Sequence, residues 1–281
     1  MKIEERIEEA LGAPVVRLKP LSGGCVAEVY RADLAGGRCV VAKVDDGPGA
    51  LDVEGRMLNY LGDRTELPVP KVMWSAPNLL VIEYIDNDGR GGPQVAIDAA
   101  DALAALHDIG HPTHGFKEPT LIGGLLQPNP PTASWVEFFA EHRLLEMGRR
   151  CVDAGQLVGA DLARLERLCA GLDRYLEADR PASLLHGDIW GGNILVHKGR
   201  LAAFIDPAIY YGDAEVELAF IGLFRTFGQR FYDRYQEHRP IAPGFFEVRR
   251  DLYNLYPLLV HVRLFGGGYV GQFRSILGGL I

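Results

Sequence analysis

Apolar residues recur along this chain with two different periods, and the change from one to the other divides it. Ile3, Ile7, Ala10 and Leu11 share one face at helical spacing, which predicts a short amphipathic helix over residues 3–11. Period-two stretches follow at residues 17–21, 27–33 and 38–44, punctuated by Ser22-Gly23-Gly24 and Ala35-Gly36-Gly37, and read as three antiparallel strands. A helical segment over 51–61 and two further strands over 71–74 and 79–85 complete a small β-rich unit. Gly89 to Pro93 breaks the pattern, and beyond it helical spacing dominates over 95–107, 135–147, 159–176 and most of the chain after Phe220. Residues 108–134, rich in glycine and proline, are expected to lie as a loop across a substrate cleft. The expected fold class is α+β, with a β-rich lobe over residues 1–85 and a larger helical lobe over 86–281.

Composition narrows what such a protein does. The 281 residues are 48% apolar and 23% charged, ordinary for a globular chain with a sizeable core. A net charge of −8 argues against a general nucleic-acid binder, which needs a basic face to displace counterions. The acidic, amphipathic start is unlike a signal peptide, and no stretch approaches eighteen uninterrupted apolar residues, so a cytoplasmic protein without membrane contact is expected. Four cysteines, Cys25, Cys39, Cys151 and Cys169, make neither a disulfide framework nor a zinc-type pair, and are expected to be reduced thiols.

The candidate chemistry centres on residues 183–207. Asp188 stands in His186-Gly187-Asp188, Asn193 follows five residues later, and Asp206 ends the apolar run Leu201 to Ile205 thirteen residues after that. A hydroxyl attacking a phosphoryl group must be oriented and must lose its proton, and Asp188 is the candidate base. Magnesium is a hard cation that prefers oxygen, so the Asn193 amide and the Asp206 carboxylate are candidate metal ligands beside a nucleotide. Residues 194–196 and 201–205 predict a hairpin through His197 to Arg200 that returns Asn193 and Asp206 to one end. His186 is expected to fix the loop rather than to move protons. Glu217 is expected to accept backbone amides of the catalytic loop, and Asp213 to cap the helix that starts there.

The first half of the chain supplies a matching nucleotide site. Ser22, Gly23 and Gly24 offer backbone amides to a polyphosphate. Val41-Ala42-Lys43 has the spacing that points a lysine at α- and β-phosphates, and Glu54, eleven residues on, is placed to pair with it from a helix. Glu83 to Ile85 is the expected hinge, with Leu21, Ala42 and Val81 sandwiching the adenine of ATP. Cys25, on the glycine turn, is a candidate redox-sensitive thiol able to link two copies of the chain. His107 and Trp135, inside apolar periodic segments, read as core.

The residues from Leu185 to Asn193, Asp206-Pro207-Ala208 and Tyr210-Tyr211-Gly212-Asp213 together resemble the fructosamine kinase or ketosamine kinase family, within the wider aminoglycoside-phosphotransferase-like group. Leu21 to Cys25, Trp135 to Arg143 and the late Tyr253, Tyr256, His261 and Phe265 extend the resemblance over nearly the whole chain. It implies a protein-kinase-like two-lobed fold and ATP-dependent phosphorylation of a sugar hydroxyl on ketoamines, with Trp190 and Gln127 helping to bind the sugar. Two departures stand out: Glu217 occupies a position where many relatives carry aspartate, and residues 86–92 are unusually glycine-rich. Only ten residues separate Asp206 from Glu217, too few for the activation segment of a protein kinase. The competing readings are a phosphotransferase for an aminoglycoside or choline, and a nucleotide-binding pseudokinase, which would lack Lys43, Asp188 or Asp206.

Overall fold

The computed structural model describes residues 2–21, 27–47 and 49–281. Helix α1 (Ile3–Leu11) leads into β1 (Val15–Leu21), β2 (Glu28–Leu34) and β3 (Cys39–Val44); α2 (Leu51–Arg64), β4 (Val72–Ala76) and β5 (Leu79–Glu83) follow. The five strands form one antiparallel sheet in the order β1-β2-β3-β5-β4. Ser22, Gly23, Gly24 and Cys25, assigned above to phosphate binding and redox chemistry, lie outside the described residues.

Alternation along the strands decides what each face meets. Ala32, Val40, Ala42, Val44, Leu79 and Val81 pack with Ile7 of α1 on one face, while Val41, Leu80 and Ile82 face Leu51 and Leu58 of α2 on the other. This corrects the expected adenine sandwich: Ala42 and Val81 are sealed beneath α1. Val41 has the parity of Lys43 and shares its face, as does Leu80, which pairs with Lys43 in register.

The second lobe begins at α3 (Pro93–His107), opened by a proline in the first turn, where its missing N–H leaves no bond unmade. Next come β6 (Gly110–His111), β7 (Thr120–Ile122), β8 (Leu125–Gln127), α4 (Trp135–Phe139), α5 (Glu146–Asp153) and α6 (Gly159–Cys169). Helices α4 and α5 are joined by a π-helical segment over Ala140–Leu145, where a plain helix was expected. Strand β9 (Ala182–Leu185) precedes the hairpin β10 (Ile194–His197) and β11 (Arg200–Phe204), then β12 (Tyr210–Gly212), α7 (Glu215–Leu223), α8 (Gln229–His238), α9 (Arg250–Phe265) and α10 (Gly268–Leu280). Trp135, Phe138, Phe139, Phe204, Phe231 and Tyr253 are buried together in the core of this lobe.

Residues 108–134 do not form an open loop over a cleft. Their polar side chains satisfy one another inside the lobe: Asn129 Nδ2 and Gln127 Nε2 both donate to Thr120 Oγ1, at 2.8 and 2.9 Å. Such mutual pairing permits burial of groups that water would otherwise hold at the surface. The glycine-rich connection over 86–92 also has a definite seat. Asp88 N–H donates to Val196 O at 3.0 Å, and Lys198 N–H to Asp88 Oδ2 at 3.2 Å, docking the connection between the lobes on the β10–β11 hairpin. Lys198 and Gly199, with φ of +51° and +74°, make the tight left-handed turn of that hairpin.

Candidate active site

Strand β9, buried along its length and paired with β12, delivers the catalytic loop to the cleft. Gly187 has a φ of +87°, and a Cβ there would lie 2.2 Å from the Ala208 carbonyl oxygen. Only glycine allows this crossing, in which Ala208 N–H donates to His186 O at 2.7 Å and laces the catalytic loop to the segment after Asp206. Glu217 of α7 anchors the same loop: its Oε1 accepts Gly187 N–H at 2.5 Å and its Oε2 accepts His186 N–H at 3.3 Å. Burial alone would push the Glu217 carboxyl up, but the hydrogen bonds it accepts from His107 and from the Gly187 amide hold it below its ordinary range. The His186 ring is wholly buried, accepts Asp188 N–H on Nδ1 at 3.3 Å, and is pushed down to about 4 by burial, so it stays neutral.

Asp188 is partly buried at the end of the His186-Gly187-Asp188 turn. Asn193 Nδ2 donates to its Oδ2 at 3.0 Å and to its backbone carbonyl at 2.9 Å. Burial first, then the charge of Asp206, push the Asp188 carboxyl up to about 7, against the lowering effect of Asn193. With its NH₂ on Asp188, Asn193 has its amide oxygen left for another partner. Asp206, at the end of β11, has a φ of +54°, a strained conformation that aspartate tolerates better than most residues. It hydrogen bonds the Lys43 ammonium, which also donates to Glu54 Oε1 at 2.7 Å. Lys43, Glu54 and Asp206 thus form one group across the two lobes and Asn193 and Asp188 a second, and Ile205 N–H on the Asn193 carbonyl at 3.0 Å laces the two segments together.

The remaining candidates divide. Trp190 is 40% exposed, and its indole lies over Gly192, where a Cβ would come within 2.3 Å of the ring. Glu83 closes β5, with its N–H on Lys71 O and its carboxylate accepting Lys71 N–H at 3.3 Å; Ile85 begins the connection to the second lobe. Gln127 is corrected. It is 1% exposed, its NH₂ bonds Thr120 and, at 3.1 Å, the Ala208 carbonyl, and its oxygen accepts Tyr256 OH at 2.8 Å. It braces the segment after Asp206 from behind instead of presenting a group to a sugar. Asp213 was expected to cap α7, but the N-cap position is Ala214; Asp213, one residue earlier, accepts Glu215 N–H at 3.0 Å and also binds Arg180 and Tyr253. Cys39, Cys151 and Cys169 are free thiols, the latter two pushed up to about 11 and about 12 by burial.

Two contributors escaped sequence reasoning. His107 is buried, as a core residue should be, yet its Nε2 lies 2.9 Å from Glu217 Oε2. Arg143 is fully buried in the π-helical segment, its guanidinium 4.0 Å from the Tyr210 ring centre and bonded to Asn129 Oδ1 and the Pro128 carbonyl. The only signal for either was a polar residue at an apolar position of a helix.

The donor chemistry suits a hard divalent cation, since an amide oxygen and a carboxylate converge and magnesium takes few protein ligands beside phosphate. Among the described residues no cluster of three or more His, Cys, Asp or Glu side chains is placed to hold a metal ion.

Set against known proteins, the whole chain, residues 1–281, matches the family model described as fructosamine kinase. A probable ketoamine kinase of Synechocystis is 33% identical, the alignment covering 98% of this chain and 94% of that one. A chloroplastic protein-ribulosamine 3-kinase of Oryza sativa subsp. indica is also 33% identical, over 96% and 80%. The crystal structure of a Thermobifida fusca protein provisionally described as a fructosamine-3-kinase superposes with a TM-score of 0.89 at 32% identity, covering 99% and 98% of the two chains. An aminoglycoside phosphotransferase in complex with ADP and hygromycin B superposes at 0.66 with 20% identity, over 99% and 98%, which shows a shared fold alone.

Proposed function

The chain belongs to the fructosamine kinase family, and from that premise we propose that it transfers the γ-phosphoryl group of ATP to a sugar hydroxyl of a ketosamine. Its substrates are adducts of amines or protein lysines with ribose or glucose, and the phosphorylated adduct is labile, so the activity is a deglycating repair. The observation that carries this reading is the convergence of Lys43, Asp206, Asn193 and Asp188 from two lobes onto one cleft.

Within that reading Asp188 orients the acceptor hydroxyl and takes its proton, a role suited to a carboxyl whose affinity for protons lies near neutrality. Asn193 holds Asp188 through its NH₂, and Asn193 Oδ1 with the Asp206 carboxylate would hold Mg²⁺, which when bound neutralises charge on the nucleotide phosphates. Lys43, kept cationic by Glu54, binds the phosphates. The amides of Ser22, Gly23 and Gly24 cover them, while Glu83 and Ile85 flank the adenine. Trp190, exposed at the rim, stacks on the sugar face. A boundary between the lobes at residues 85 and 86, in the stretch between β5 and α3, belongs to the same reading. No helix among the described residues is long and apolar enough to cross a membrane, and a cytoplasmic site of action is proposed.

The test is ATP consumption with ribulosyl-lysine, fructosyl-lysine and kanamycin offered separately. The proposal requires magnesium-dependent turnover of a ketosamine; turnover of kanamycin alone would replace it with an antibiotic phosphotransferase.

A further inference from the structure

A cavity of about 200 Å³ lies where β9 begins and β12 ends, room for a compact metabolite rather than a single water. The catalytic loop leaves the other end of β9, past Leu185, and none of Lys43, Asp188, Asn193 and Asp206 lines this space. Pro181, Leu218 and Ile241 give it an apolar side. Its polar side carries charge of both signs, and the hydrogen bonds sort them. Asp213 and Glu215 are buried, with all four carboxylate oxygens occupied. Arg180 Nε and the Tyr253 hydroxyl donate to Asp213 Oδ2 at 2.7 and 2.6 Å, and Arg180 Nη2 and Glu215 N–H both donate to Oδ1 at 3.0 Å. Arg249 reaches Glu215 with Nε on Oε2 at 2.6 Å and Nη2 on Oε1 at 2.8 Å. The acceptors are therefore spent.

The donors are not. Among the described residues Arg180 Nη1 has no partner, and Arg239 puts Nη1 on Asp108 but reaches Ser183 Oγ with Nη2 only at 3.4 Å. Ser183 is 2% exposed, and among the described residues its own hydroxyl proton has no acceptor. Charge points the same way: Arg180, Arg239 and Arg249 meet two buried carboxylates, while Asp108 is exposed and its charge is screened by water. We propose that this cavity binds a small organic oxyanion, a phosphate monoester or a carboxylate, with its charged end between Arg180 and Arg239 against the Ser183 hydroxyl. A ligand end that only accepts matches what the wall has left to give. The apolar side then takes the carbon skeleton. A purely structural cluster would close its arginines on their carboxylates at the packing density of an interior, leaving no such space between β9 and the end of α8.

The test uses the full-length chain with its nucleotide site filled by Mg²⁺ and a non-hydrolysable ATP analogue, so that added anions do not enter at Lys43. Glycerol 3-phosphate and succinate are the oxyanion probes, glycerol is the uncharged control, and titration calorimetry is read beside the melting temperature. At least one oxyanion should bind saturably and raise the melting temperature by mass action, and glycerol should do neither. The tighter of the two tells phosphate from carboxylate. R239Q should weaken that binding by roughly ten- to a hundredfold, the usual worth of a charge-assisted hydrogen bond, and S183A by several-fold. Absence of saturable binding by both oxyanions up to about 10 mM overturns the proposal and leaves a cavity for water only. So does equal binding of glycerol, or an affinity that R239Q leaves unchanged, which would place the anion elsewhere. If R239Q does not fold, S183A decides: unchanged affinity overturns the proposal, and weakened affinity supports it.

Discussion

Asp206 hydrogen bonds the Lys43 ammonium although 163 positions separate them in sequence. Burial would push the Lys43 amine down, but the carboxylates of Glu54 and Asp206 outweigh it and hold the ammonium above its ordinary range. The lysine is therefore a fixed cation, and it joins the five-stranded sheet to the end of the β10–β11 hairpin in the other lobe.

Replacing it tests both its roles. Lys43→Ala is expected to lower kcat/KM for ATP by about a hundredfold or more, since phosphate-clamping cations act where charge develops. It also leaves Glu54 buried without its cation, so a urea midpoint should fall, and Lys43→Met with Glu54→Gln should recover part of that loss. A single variant with unchanged nucleotide kinetics would place the lysine outside the phosphate site.

Gly187→Ala should be severe. Its φ of +87° and the 2.2 Å approach to the Ala208 carbonyl leave no room for a methyl group. Strained backbone of this kind costs about 1–3 kcal/mol, and forcing the loop from the Ala208 segment should reduce kcat more than it changes nucleotide affinity. Calorimetry beside steady-state kinetics separates the two effects.

Asp188 predicts an unusual pH dependence of stability in chelator-treated, metal-free protein. Its folded carboxyl titrates near 7, above the ordinary 3.8, so the folded state keeps this proton to higher pH than the unfolded chain does. Its contribution to stability is full below about pH 4, declines as pH rises, and is lost by about pH 7. Asp188→Asn cannot ionise and should melt higher than wild type at pH 8, with the difference shrinking toward pH 4.5. Identical melting at both pH values would contradict the burial of this carboxyl.

Trp190→Ala should affect the acceptor and not the nucleotide. The indole is exposed and rests on Gly192, so its loss should leave the melting temperature nearly unchanged. Loss of a stacking face is expected to raise KM for ribulosyl-lysine by about tenfold, with KM for ATP unaffected. A wild-type acceptor KM would confine Trp190 to packing.

Much of this site was legible because its parts are local. The spacing of Asp188 and Asn193 on one loop, and of Lys43 and Glu54 on adjoining elements, survives folding as short hydrogen bonds. Glu217 was readable for the same reason, at the start of a helix following a short connection. What was misread depended on parity or distant partners. Ala42 and Val81 were placed on the wrong face by one residue of strand register. Gln127 was assigned to the sugar because its partners, Thr120, Ala208 and Tyr256, are up to 129 positions away in sequence. His107 was rightly read as core, but no local pattern announces its partner, a carboxylate 110 positions further along.

The central claim is that Asp188 positions a ketosamine hydroxyl for attack on ATP. Single-turnover phosphorylation of ribulosyl-lysine, followed by phosphorus NMR of the product, measures it directly. Wild type should yield one sugar phosphate ester per ATP consumed, and Asp188→Asn should form it about a hundred- to ten-thousandfold more slowly with nucleotide still bound. An ester formed at the wild-type rate by the variant, or ATP consumed without any sugar phosphate, would contradict the account.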